Sequence, residues 1–128
     1  MKAKTIGYWV TTILLALELL IGGALDLAHR REVVEIMTHL GYPLYFLTIL
    51  GFWKVLGAIA LLAPRFPRLK EWAYAGVFFE MTGAAASHAA SGDSVAQLIA
   101  PLVFAGLTIA SWALRPPSRT LGALSPAK

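Results

Sequence analysis

Four uninterrupted apolar stretches, each close to the ~20 residues needed to cross about 30 Å of hydrocarbon, decide most of what this chain can be. They run from Ile6 to Leu25, from Leu44 to Ala63, from Trp72 to Ala90 and from Val95 to Leu114. Inside a bilayer only the chain itself can satisfy backbone N–H and C=O groups, and these runs are too long and too unalternating to be barrel strands. The expected fold is therefore all-α, a four-helix transmembrane bundle. Composition agrees: 58% of the 128 residues are hydrophobic and 14% charged, against about 25% charged in ordinary soluble domains. The length suits one domain.

The connections divide the chain in the same way. Pro64 and Pro67 interrupt the path between the second and third runs, with Arg65, Arg68 and Lys70 holding that turn at a surface. Ser91-Gly92-Asp93-Ser94 is a compact turn, and Pro116-Pro117 stops the last helix. Residues 1–115 read as a single four-span bundle and 116–128 as a flexible cytoplasmic tail. In the first connection, Val33, Ile36, Met37 and Leu40 recur at helical spacing among charged neighbours, and Gly41 and Pro43 follow. This predicts a short amphipathic helix over Arg31–Leu40, lying in the membrane interface.

Eight of the eleven Lys and Arg lie before the first run, in the Pro-rich turn or in the tail, against two in the first connection and none in the third. That bias places both termini in the cytoplasm of a multi-pass protein of the cell inner membrane. Lys2 and Lys4 before an apolar run imitate a signal peptide. Glu18 within that run, and the lack of a small-x-small cleavage site, argue for a retained helix. Without a basic run or interleaved aromatics, the formal charge of +4 does not suggest nucleic acid as a partner. The lipid bilayer is the expected one.

Charges inside the spans are costly, about 2.5–3.5 kcal/mol each on insertion scales, so they need partners. Glu18, Lys54, Glu80 and His88 are such residues. At 1.5 Å per residue, Lys54 and Glu80 both lie roughly 13–14 Å from the cytoplasmic side, on adjacent antiparallel helices. This predicts an intramembrane ion pair. Glu18 falls near 20 Å and His88 near 25 Å. Small residues share the faces of these groups: Gly22 with Glu18, Gly51 and Ala58 with Lys54, Gly83, Ala84 and Ser87 with Glu80. Such faces pack inward. Two carboxylates against one ammonium leave a negative charge over, so one carboxyl holds a proton or His88 is cationic, and the group titrates as a unit.

Two readings of this polar set compete. In one, Lys54 and Glu80 simply lock two helices together; in the other, Glu18, Lys54, Glu80, His88, Ser87 and Trp53 line a pocket for a ligand, quinone or proton. Asp26 and His29 read as interfacial helix-end features. A metal site is not expected, since no Glu-x-x-His or His-x-x-x-His spacing occurs and Lys54 opposes a cation. The absence of cysteine removes thiolate and iron–sulfur chemistry. Redox work would need a borrowed cofactor or partner.

The strings Leu40-Gly41-Tyr42-Pro43-x-Tyr45, Leu50-Gly51-x-Trp53-Lys54-x-x-Gly57-Ala58, Lys70-Glu71-Trp72-Ala73-Tyr74-Ala75-Gly76 and Ser87-His88 resemble the DoxX-like family of small bacterial membrane proteins. The resemblance runs from Tyr8 to about Arg115. It implies a four-helix membrane protein in a superfamily that includes small subunits linked to thiosulfate:quinone oxidoreduction and other membrane redox complexes. It supports architecture better than chemistry. Three functions fit the residues: an accessory subunit or quinone-like-ligand-binding component, with a redox partner subunit or a second copy beside it; an enzyme using Glu acid–base chemistry on a lipid or sterol-like substrate; and a proton-coupled small-solute carrier, which at this size would need a dimer formed through its small-residue stripes.

Overall fold

The computed structural model describes residues 2–120, and every regular element among them is helical. The order is α1 (Lys2–Leu27), α2 (Arg31–Leu40), α3 (Tyr45–Leu62), α4 (Pro67–Ala90) and α5 (Val95–Ala113), with a short 3₁₀ turn at Pro117–Arg119. α1 packs on α3 and α5, and α4 packs on α5 and α3, so the four long helices close a ring around one core. α1, α3 and α5 are long and apolar enough to cross a membrane. α4 has the length, at 24 residues, but Lys70, Glu71, Glu80, Thr82, Ser87 and His88 make it less apolar than the other three.

Helix ends follow local chemistry. Gly41 closes α2 in the left-handed region, at φ 85°, where its N–H and that of Tyr42 reach back to the carbonyls of Thr38 and Met37. α4 begins at Pro67, five residues earlier than the apolar run, because proline fits the first helical turn without a missing bond. Reaching it strains the turn: Arg65 and Phe66 both adopt positive φ, at 69° and 54°. Such positions cost non-glycine residues on the order of 1–3 kcal/mol and persist only when the surroundings hold them. Here the holder is Lys70. Fully buried, it donates to the carbonyls of Ala63 and Arg65.

The core joins Leu15 and Leu19 of α1, Ala58 and Leu61 of α3, Tyr74, Val77 and Met81 of α4 and Ala105 of α5. A buried polar chain crosses it, with Ser111 within 2.6 Å of the Thr12 hydroxyl and 2.8 Å of the Tyr74 hydroxyl. Most other large apolar side chains point outward. On α1, Ile6, Val10, Ile13, Leu14, Leu17 and Ile21 are all exposed. An apolar surface that continuous belongs in lipid, not water.

Between α1 and α3 the backbones touch. A Cβ added to Gly51 would lie 2.7 Å from Leu27 Cγ, 2.8 Å from the Gly23 carbonyl and 2.9 Å from the Leu27 nitrogen. Lipid offers no hydrophobic drive between helices, so such small-residue contacts supply the packing.

Residues 116–120 make contacts of their own with the bundle. The Arg119 guanidinium donates to the carbonyls of Leu61, Leu62 and Ala63, which end α3 without helical partners, and it lies 4.9 Å from the Trp9 ring centroid. Arg115 pairs with Glu71 and so ties the end of α5 to the start of α4. Tail residues 121–128 lie outside the described residues.

Candidate functional site

Lys54 is the centre of the polar interior. Its position on α3 places Nζ 3.4 Å from Glu80 Oε2 on α4 and 3.9 Å from Glu18 Oε1 on α1. The shortest contact is to a residue that sequence reasoning placed elsewhere: Asp26 Oδ2, 3.1 Å away. Asp26 is not an interfacial feature turned to water; it is only 3% exposed. A signal was available. Glu18, Gly22 and Asp26 recur every four residues and so share one helical stripe, but ending the first apolar run at Leu25 cut the stripe short.

Gly22 makes room for the group. A Cβ there would meet both Glu18 carboxylate oxygens, at 3.2 and 3.3 Å, and Lys54 Nζ at 3.3 Å. Three carboxylates thus surround one ammonium. Among the described residues Glu18 Oε2 has no hydrogen-bond partner, and Asp26 Oδ2 has none beyond its ionic contact with Lys54.

The remaining site candidates lie on two sides of this centre. α3 and α4 part along their length, and two cavities open between them that share Leu50, Lys54, Gly76 and Glu80. One, of about 580 Å³, extends toward the basic end of the molecule between Trp53, Leu56, Ile59, Leu69 and Trp72, and is almost wholly apolar. Trp53 is 63% exposed and forms the outer wall of this cavity, so it adjoins the charged group without touching its charges. The other, of about 490 Å³, runs the opposite way, beneath α2, past Tyr42, Phe46, Phe79, Ser87 and His88.

Ser87 and His88 face this second cavity but do not join the Lys54 group. Ser87 Oγ lies 2.7 Å from the Tyr42 hydroxyl. His88 Nδ1 lies 2.7 Å from Asp93 Oδ2 in the α4–α5 turn, and the second oxygen of Asp93 is 2.6 Å from His39 Nε2. The hydrogen bonds from His88 and His39 hold the Asp93 carboxyl below the ordinary carboxylate range. His88 therefore belongs to a His–Asp–His clasp at the α2 end. The clasp was not evident from spacing, because its His39–Asp93 half joins residues 54 apart in the chain.

Apolar helices of spanning length with outward-facing aliphatic surfaces, enclosing a charged centre, define an integral membrane protein. The sequence profile of the DoxX-like family matches residues 10–111. The chain belongs to that family. No curated protein and no solved structure matches it.

Proposed function

We propose that this protein is a four-span component of the bacterial inner membrane, both termini cytoplasmic, that holds a lipophilic quinone-like molecule for a membrane redox partner. α4 is the fourth span, since 24 residues reach about 36 Å and Lys70, Glu71 and Glu80 find partners within the bundle, Arg68 alone being exposed at its end. α2 lies in the interface, its apolar face down. The bias of Lys and Arg toward the Pro-rich turn and the termini supports the orientation.

One observation carries the ligand reading: the α3–α4 groove runs from an almost wholly apolar half to a more polar one, with the Lys54–Glu80 pair at the junction. A ligand of that shape has an apolar tail and a head that accepts hydrogen bonds. Lys54 supplies donors at the junction and Ser87 and Tyr42 hydroxyls lie beyond it, so a ring carbonyl finds partners while the tail rests against Trp53 and Trp72. The protein contributes binding and orientation, and the electrons come from the ligand and its partner.

The two tryptophans give a direct test. Adding a decyl-substituted benzoquinone to the detergent-purified protein quenches tryptophan fluorescence saturably. Arg68→Ala, at the exposed turn, behaves alike, and Lys54→Ala binds at least about tenfold more weakly. Because Lys54→Ala strands three carboxylates, Lys54→Met with Glu18→Gln, Asp26→Asn and Glu80→Gln provides a variant without the unpaired charge. Equal affinity in all of these, or no saturable quenching in the native chain, overturns the reading.

The Glu18 Oε2 atom, buried without a hydrogen bond, favours a second reading, acid–base catalysis on a lipid or sterol-like substrate with Glu18 and Glu80 as proton carriers. Turnover that survives in the Glu18→Gln, Glu80→Gln double variant eliminates it.

A further inference from the structure

α2 is attached unlike any other helix. It has no buried residue and touches α1 and α3 only sparsely, yet it roofs the 490 Å³ cavity with Val33, Ile36, Met37 and Leu40. What pins it is polar and peripheral. His39 reaches Asp93 at 2.6 Å, and just past the helix Tyr42 reaches Ser87 at 2.7 Å. On the other flank His29 Nε2 lies 3.0 Å from Thr48 Oγ1. All three contacts are exposed, the kind that water replaces at small cost. Each flank also carries a residue at positive φ, His29 at 49° and Gly41 at 85°. The helix itself is thus a rigid piece between two sharp bends.

We infer that α2 is a hinged lid over the more polar end of the α3–α4 groove, closed by the His39–Asp93–His88 clasp and the Tyr42–Ser87 contact. Asp93 is the shared anchor. Its two oxygens hold one histidine from the lid and one from the cavity wall, so closing the lid also fixes the orientation of His88. When open, α2 stays in the interface with its apolar stripe against lipid, and the cavity mouth faces the headgroups. Hinged elements of this kind gate access where their contacts are few and their bends lie at the flanks. The use of the lid rests on the ligand reading above, but its motion does not.

The test uses no ligand, so failure of the lid and failure of quinone binding are read separately. The chain has no cysteine, and single thiols therefore report cleanly. Ala84→Cys places one in the cavity under α2; Arg68→Cys places one at the opposite, exposed turn; Ala58→Cys places one in the fully buried core. In detergent, a polar maleimide modifies the Ala84→Cys thiol more slowly than the Arg68→Cys thiol. Adding Asp93→Asn speeds modification at position 84 about fivefold and leaves positions 68 and 58 unchanged. Should Asp93→Asn also release position 58, the chain has loosened as a whole, and Tyr42→Phe then carries the test by speeding position 84 alone. No change at position 84 with either clasp variant overturns the lid.

Discussion

The α1–α3 seam and the α3–α4 seam share one helix and differ in nearly everything else. Along the first, Gly23 and Gly51 bring backbones into contact, and a single added methyl would strike main-chain atoms within 3 Å. Along the second, Gly76 has nothing within 4 Å of where a Cβ would stand, and the gap widens into cavities on either side of Lys54 and Glu80. Small residues serve opposite ends in the two places. At one seam they allow contact, and at the other they leave space. A small-residue stripe therefore does not by itself mark a packing interface; what the facing helix carries decides.

The sharpest way to break this comparison is to fill each seam. Gly51→Leu is expected to give no folded protein, since the new side chain must displace the backbone of Leu27 and Gly23, and Gly51→Ala to cost about 3 kcal/mol or more. Gly76→Ala is expected to be neutral or slightly stabilising, because alanine has the better helix propensity and open space awaits it. Thermal unfolding in one detergent ranks the three. A Gly76→Ala cost equal to that of Gly51→Ala would mean the seams are packed alike.

Next in size is Lys54→Met. Removing the ammonium leaves Glu18, Asp26 and Glu80 facing one another, and breaking a buried ionic group in this way costs about 3 kcal/mol. Adding Glu80→Gln and Asp26→Asn should recover a large part of it, so the variants are strongly non-additive. Additive costs in the same unfolding measurement would show that the carboxylates act independently of Lys54, and the groove would then lack a charged centre.

What was legible in the chain depended on whether a residue's partner was close in sequence or set by helix geometry. The period of Val33, Ile36, Met37 and Leu40 located α2 at the bounds observed. Asp26 was lost because the apolar run, having already passed Glu18, was ended at Leu25, while the helix runs on through Asp26 to Leu27. Lys70 and Arg119 were read only as markers of orientation. Counting cations toward topology treats them as solvated, whereas here both are turned inward onto carbonyls that a strained turn and a helix end leave unpaired. Asp93 looked like a turn residue because its two histidines come from different helices. Contacts of this last kind depend on how the helices are arranged, which periodicity does not encode.

The smallest expected effect tests the basic end, where the α3–α4 seam closes again. Lys70 lies outside the apolar run that begins at Trp72. Burial, reinforced by the Arg119 guanidinium, lowers its pKa from 10.5 to about 8. A lysine with a lowered native pKa binds fewer protons folded than unfolded between those two values, so stability should rise as pH increases from about 8 to 10.5. Arg119→Gln removes the second cation and should flatten the rise, while also lowering stability at every pH by uncapping the end of α3. Urea unfolding across that pH window separates the two contributions. A native-chain stability that falls as pH rises through it would mean that Lys70 keeps its full charge against the strained turn, and that Arg119 acts only as a helix cap.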